Sequence, residues 1–243
     1  MTEADESGWH VNQRQRRGTS ITRPRTSNLV RVGVLALPLS GLLTLGGILG
    51  RFNTPNPRVD FEAAAQTASS TSFFVSQFVG NIVGLALLIL GIFALTAYLA
   101  NTRVRSLAVA AMILSILSVA LVLPALGVTT YTLPALGHAY LNGQEDAKVI
   151  ADAIFGNTLR NVIYIPAFGL YGTGFVLFGV AIWRSGVLRK GAALSLGLHA
   201  PLVSSFIKPQ PNFGVVLGAL LFILGGVFIS LDVFRGRPAR RRR

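Results

Sequence analysis

The stretch Arg160–Lys208, RNVIYIPAFGLYGTGFVLFGVAIWRSGVLRKGAALSLGLHAPLVSSFIK, decides how the rest of the chain is read. It holds an uncharged apolar run from Asn161 to Trp183, a basic turn from Arg184 to Lys190, and a second apolar run from Gly191 to Ile207. An α-helix needs about 20 apolar residues to cross a hydrocarbon core of roughly 30 Å. The stretch therefore predicts a membrane hairpin, and the remaining sequence repeats its pattern of greasy runs and short basic turns.

Composition agrees. The 243 residues are 51% hydrophobic and only 13% charged, against about 25% charged in an ordinary soluble domain. The net charge of +13 raises the question of nucleic acid. The arginines, however, cluster in the two tails and in turns between apolar runs, which is the positive-inside pattern of a membrane protein, and no nucleic-acid role is expected. Cysteine is absent, which removes disulfides, thiolate nucleophiles and cysteine metal sites. The first 28 residues are polar and carry both charge signs; they read as a cytoplasmic tail rather than a cleavable signal.

Working outward from the hairpin, six spans are expected: 32–50, 73–100, 106–126, 161–183, 191–207 and 213–234, forming a membrane domain over 29–234. The turn Asn101–Arg105 is too short for anything but antiparallel neighbours. Pro124 is expected to bend or end the third span. Two polar connectors interrupt the pattern. In the first, Asp60 caps a short helix; in the second, Val149, Ile150, Ala153 and Ile154 suggest an amphipathic helix over Asn142–Phe155 that stops at Gly156. Lys208–Asn212 links the fifth and sixth spans, and the tail 235–243 carries six arginines.

Six spans put the N-tail, the Arg103/Arg105 turn, the Arg184–Lys190 turn and the C-tail on one face. That face then holds 17 of the 22 Lys and Arg residues, so both termini are expected in the cytoplasm. An odd number of spans would separate the two basic tails.

Helices in lipid associate through small residues that allow close backbone approach. Gly46/Gly50, Gly80/Gly84 and Gly214/Gly218 have that spacing. Gln77, Gly84, Gly91 and Tyr98 recur every seven residues, with Asn81 one turn from Gln77, and this face is expected to look into the bundle. His199 is the one ionisable residue near the middle of a predicted span, beside Ser195, Pro201 and Ser204. An intramembrane ionisable group is a candidate functional residue. It is read here either as a hydrogen-bonded structural group or as part of a ligand or proton site. Asp232, at the end of the last span, is expected to pair with Arg235 or Arg237.

Other chemistries lack their residues. No acidic residue sits centrally in a predicted span, as coupled transporters require. No membrane lysine, H-E-x-x-H pair, Gly-x-Ser-x-Gly elbow or phosphate-binding Gly-Lys-Ser/Thr loop occurs. A serine paired with His199 from another span is the remaining route to catalysis.

The phrase Gly174-Phe175-Val176-Leu177-Phe178-Gly179-Val180-Ala181-Ile182-Trp183-Arg184-Ser185-Gly186-Val187-Leu188 resembles a family of uncharacterised bacterial multi-pass membrane proteins. There an apolar run is followed by Arg-x-Gly-x-Leu and often Pro-Arg; here Arg189 stands at the proline position. The resemblance implies bacterial origin and carries no functional residues.

The expectation is thus an all-α, polytopic six-helix transmembrane bundle in a cell membrane, with no cofactor, no metal and no catalytic activity. Its role is read as a structural or interaction component. The alternative is a passive or weakly coupled carrier of small solutes or lipids with a pocket at Gln77, Asn81, Tyr164, Tyr171 and His199. The expected partner is the lipid bilayer, with Arg235, Arg237, Arg240 and Arg241 as candidate contacts to anionic headgroups.

Overall fold

The computed structural model describes residues 27–156, 158–204 and 213–236, with side chains at all of these except 156, 158–161 and 204. The predicted tails and the connector Lys208–Asn212 lie outside them, apart from Ser27, Asn28, Arg235 and Gly236. The described chain is all-helical, without a strand. Five of its helices are long and apolar enough to cross a membrane: Asn28–Gly50, Thr71–Leu99, Arg105–Leu141, Val162–Ser185 and Phe213–Arg235. Their outward faces carry Leu39, Leu90, Phe93, Ile113, Leu117, Leu220 and Leu224 exposed, the surface expected where the solvent is hydrocarbon rather than water.

The first rod is two helices, α1 (Asn28–Val34) and α2 (Ala36–Gly50), broken at Leu35. Pro38 is the cause. It has no N–H to give to the Val34 carbonyl one turn back, and the Ser230 hydroxyl of the last helix donates to that carbonyl instead, at 3.2 Å. The last helix crosses there through Gly226, where an added Cβ would stand 2.7 Å from the Pro38 nitrogen.

The second rod runs from α4 (Thr71–Gln77) through a π turn, Phe78–Val83, into α5 (Gly84–Leu99). Its glycines settle it on α2: a Cβ at Gly80 would strike the Gly47 backbone, and one at Gly84 would come to 3.0 Å from the Thr44 hydroxyl oxygen. Gly47 rather than Gly46 makes the crossing, since nothing lies within 4 Å of a Cβ at Gly46.

The third rod corrects the expected end near Leu126. From α6 (Arg105–Gly127) the chain continues through a π turn, Val128–Thr132, into α7 (Leu133–Leu141), an unbroken 37 residues. Pro124 does not stop it, because its ring faces outward and the widened π turn just beyond absorbs the change of register. At 1.5 Å per residue the rod is about 55 Å long, well beyond the roughly 30 Å of a hydrocarbon core.

The excess supports a cap. α3 (Phe61–Ala68), capped by Asp60 accepting from the Ala63 N–H at 3.0 Å, packs on α7 together with α8 (Asp146–Gly156). Phe61, Ala65, Ala68, Phe73, Leu133, Ala151 and Phe155 form its core, and the Phe61 and Tyr140 rings meet edge to face at 5.2 Å. The two polar connectors therefore fold together. The buried face of α8 is Ala147, Ala151 and Phe155, whereas Val149 is 69% exposed.

The hairpin that opened the reading is α9 (Thr158–Ser185) and α10 (Lys190–Ser204), followed by α11 (Phe213–Arg235). Added Cβ atoms at Gly218 and Gly225 would meet His199 O and Leu196 N, at 3.1 and 3.3 Å, and Arg189 meets Asp232. α10 and α11 therefore run antiparallel along the described length of α10, 15 residues. The residues 205–207 of the predicted fifth span lie outside the described ones.

Contacts also fix which ends meet. Arg103 donates to the Arg184 carbonyl at 2.8 Å, Arg189 pairs with Asp232, and Ser230 bonds Val34. The two basic turns, the start of α1 and the end of α11 share one end, the basic end; the cap occupies the other.

Candidate functional site

The predicted polar residues divide into two layers in the cap-side half of the bundle. The outer layer lines a partly open cavity of about 100 Å³. Its walls come from α2 (Thr44, Ile48), the second rod (Asn81, Leu85), α6 (Ser118, Val119), α9 (Tyr164, Phe168, Tyr171), α10 (Val203) and α11 (Val215). Asn81, Tyr164 and Tyr171 are brought together as expected. Gln77 and His199 are not on the wall, which corrects the predicted pocket.

Gln77 is fully buried between α4 and α2. Its amide nitrogen donates to the Gly47 carbonyl at 3.1 Å, one of the last four carbonyls of α2 that have no partner within their own helix. Its amide oxygen accepts from Asn81 Nδ2 at 2.7 Å. Thr44 donates to Gly80 O at 3.4 Å. Gln77 thus caps one helix and orients Asn81.

His199 sits behind Tyr171, fully buried. The rings of Phe175, Tyr171 and Phe222 surround it, with centroids at 4.8, 5.6 and 4.9 Å. Its Nδ1 contacts the Leu196 carbonyl and its Nε2 lies 3.1 Å from the Tyr171 hydroxyl. A carbonyl only accepts, so Nδ1 carries the proton and Nε2 accepts from Tyr171. Pro201 frees the Gly197 carbonyl, yet His199 does not use it. Both ring nitrogens are occupied, and neither partner is a serine, so the serine–histidine route to catalysis lacks its hydrogen bond.

The basic end holds a different arrangement. Asp232 is fully buried and binds Arg189, a partner the sequence did not point to; the expected Arg237 lies outside the described residues. Asp232 accepts from the Arg189 backbone N–H at 2.8 Å, from Nε at 3.1 Å and from Nη2 at 2.8 Å. The guanidinium also lies over Phe228, 4.9 Å from the ring centre. These hydrogen bonds raise the Arg189 pKa above its ordinary value and pin the α9–α10 turn to the end of α11. Of the candidate headgroup contacts, Arg235 is exposed at this end; Arg237, Arg240 and Arg241 lie outside the described residues.

Sequence reading missed Ser118, whose hydroxyl is buried on the cavity wall with no hydrogen-bond partner. The available signal was Ser115 and Ser118, three apart and so on one face of an otherwise apolar helix. It also missed Phe175 and Phe222, which are indistinguishable in sequence from any lipid-facing phenylalanine. Among the described residues no cluster of His, Cys, Asp or Glu has the grouping a metal ion needs. No protein-family model, curated protein or solved structure matches the chain.

Proposed function

We propose that the chain is a six-span protein of a bacterial cell membrane, with both termini in the cytoplasm, acting as a non-catalytic structural or interaction component. α10 is the sixth crossing in this reading. Support comes from its antiparallel course along α11 and from the gathering of the basic turns at one end, where the positive-inside bias would hold them. The cap then faces the outside, and Arg235 and the arginines beyond it meet anionic headgroups, each worth about 1 kcal/mol near the surface.

The observation that carries the non-catalytic reading is the internal bonding of Gln77, Asn81, Tyr171 and His199. Each holds a neighbouring helix or another of the four, which engages both ring nitrogens of His199 in the packing. The second reading, a carrier, is favoured by the cavity, which would have to work without His199. Flux of small polar solutes and exchange of labelled phospholipid across proteoliposomes separate the two. The structural reading expects rates equal to empty liposomes; protein-dependent flux abolished by Tyr164→Ala would establish the carrier.

A further inference from the structure

Charge at the basic end is one-sided. Arg103 and Arg105 in one turn and Arg184 and Lys190 in the next are all exposed. Among the described residues the one carboxylate at this end, Asp232, is buried and bound to Arg189; the other described acids, such as Asp60 and Asp146, belong to the cap. The two turns are neighbours because α6 and α9 pack closely: a Cβ at Gly174 would stand 2.9 Å from the Ser115 nitrogen. That approach sets the turn before α6 beside the end of α9.

Positive-inside bias accounts for the side of the membrane these residues occupy. It does not ask that any of them be held in place. Arg103 is held: its Nε and Nη2 donate to the Arg184 carbonyl at 3.3 and 2.8 Å, across 81 residues of sequence. Capping explains that bond, since the last carbonyls of α9 have no partner within their own helix. It occupies two of the five N–H groups of a guanidinium, and the other three have no partner among the described residues. A cation with donors to spare is thus fixed where the two turns meet. Lys190 is placed as well, its ammonium 4.5 Å from the centre of the Trp183 ring. Both cations are therefore seated on consecutive residues in the last turn of α9, Trp183 and Arg184.

Trp183 supplies the depth. It is 46% exposed, and an outward indole at the end of a membrane helix marks the headgroup level. Basic pockets between helices on the cytoplasmic side are where anionic headgroups bind, and the fork of an arginine matches the paired oxygens of a phosphate. We propose that the junction of the two basic turns binds the phosphate of an anionic phospholipid, with Arg103 donating to its oxygens, Arg184 and Lys190 adding charge, and Trp183 against its glycerol end. The site rests on the membrane reading above and is separate from the headgroup contacts of Arg235.

Trp183 also provides the test. The chain has two tryptophans, so Trp9→Phe leaves Trp183 as the sole indole. The full-length Trp9→Phe protein is placed in phosphatidylcholine nanodiscs in which a fixed fraction of the lipid carries brominated acyl chains, as phosphatidylglycerol in one arm and as phosphatidylcholine in the other. Bromine quenches indole at short range, so the ratio of quenching in the two arms reads the local preference for the anionic lipid. The proposal expects a preference for phosphatidylglycerol that Arg103→Gln and Lys190→Gln each lower about fivefold, the effect of one basic residue near the surface. Arg31→Gln, at the same end but in neither turn, should leave it nearly unchanged. Lys190 rests on a ring rather than on the backbone, so its variant decides the matter if Arg103→Gln, which uncaps α9, fails to fold. Equal quenching in the two arms, or a loss in Arg31→Gln as large as that in Lys190→Gln, overturns the site. Loss of the preference on adding inorganic phosphate at constant ionic strength overturns the lipid as the source of the phosphate. Quenching in neither arm contradicts the membrane reading itself.

Discussion

The basic half and the cap half of this bundle are built from the same residues to different ends. In the basic half the helices interlock: Phe175, Phe178, Ile182, Leu196 and Ile229 are sealed in one continuous core, and a buried carboxylate ties a turn to a helix end. In the cap half two rods pass through π turns, Pro124, Pro166 and Pro201 lie inside helices, and a void remains between them. One half is organised for rigidity. The other leaves space beside polar groups, a combination that packing would not by itself preserve.

The contrast can be broken by substitution. Asp232→Ala should have the largest effect, lowering stability by about 3 kcal/mol, near the low end for removing one partner of a buried pair, because Arg189 is partly exposed and reaches water. Chemical unfolding in mixed micelles measures it, and a change under 1 kcal/mol would deny the ion pair its role. Next comes Gly226→Ala, where a new Cβ must displace backbone at Pro38, expected to cost about 2 kcal/mol by overpacking. Gly46→Ala is its control: open space at that position predicts no loss and a gain of up to about 1 kcal/mol in helix propensity.

Effects should shrink towards the cavity. Tyr171→Phe removes the donor to His199 Nε2 and should cost about 1 kcal/mol, since interhelical hydrogen bonds in membranes average about 0.6 kcal/mol and a buried acceptor is left unmatched. Ser118→Ala should be neutral or stabilise the protein by up to about 1 kcal/mol, as it deletes a buried hydroxyl that has no partner. A loss above 1 kcal/mol at Ser118 would mean that its hydroxyl has a structural bond, and the two halves would then differ less than their geometry suggests.

The division also explains what was readable in the sequence. Apolar length and basic turns located the rods, because membrane thickness and charge placement act on composition alone. The Asp60 cap was legible for a similar reason: it is a local device spanning three residues. What failed was non-local. Pro124 reads as a bend or a stop until the outward ring and the π turn beyond it are seen, and the covered face of α8 is not set until α7 extends far enough to receive Ala151. Arg189, which binds Asp232, lies 43 residues away, where no spacing rule points. Asn81, Tyr164 and Tyr171 line the cavity while Gln77 and His199 do not, because whether a side chain faces a void or lies behind its wall depends on a few ångströms of helix rotation. Sequence periodicity does not resolve that.

All of this depends on α10 crossing the membrane, so that the chain passes six times and not five. Reporter fusions that are active in only one compartment, placed after Arg243, before Met1 and in the cap after Gly143, decide it directly. The account predicts cytoplasmic signal from both termini and exported signal from the cap. Termini reporting from opposite compartments would contradict it.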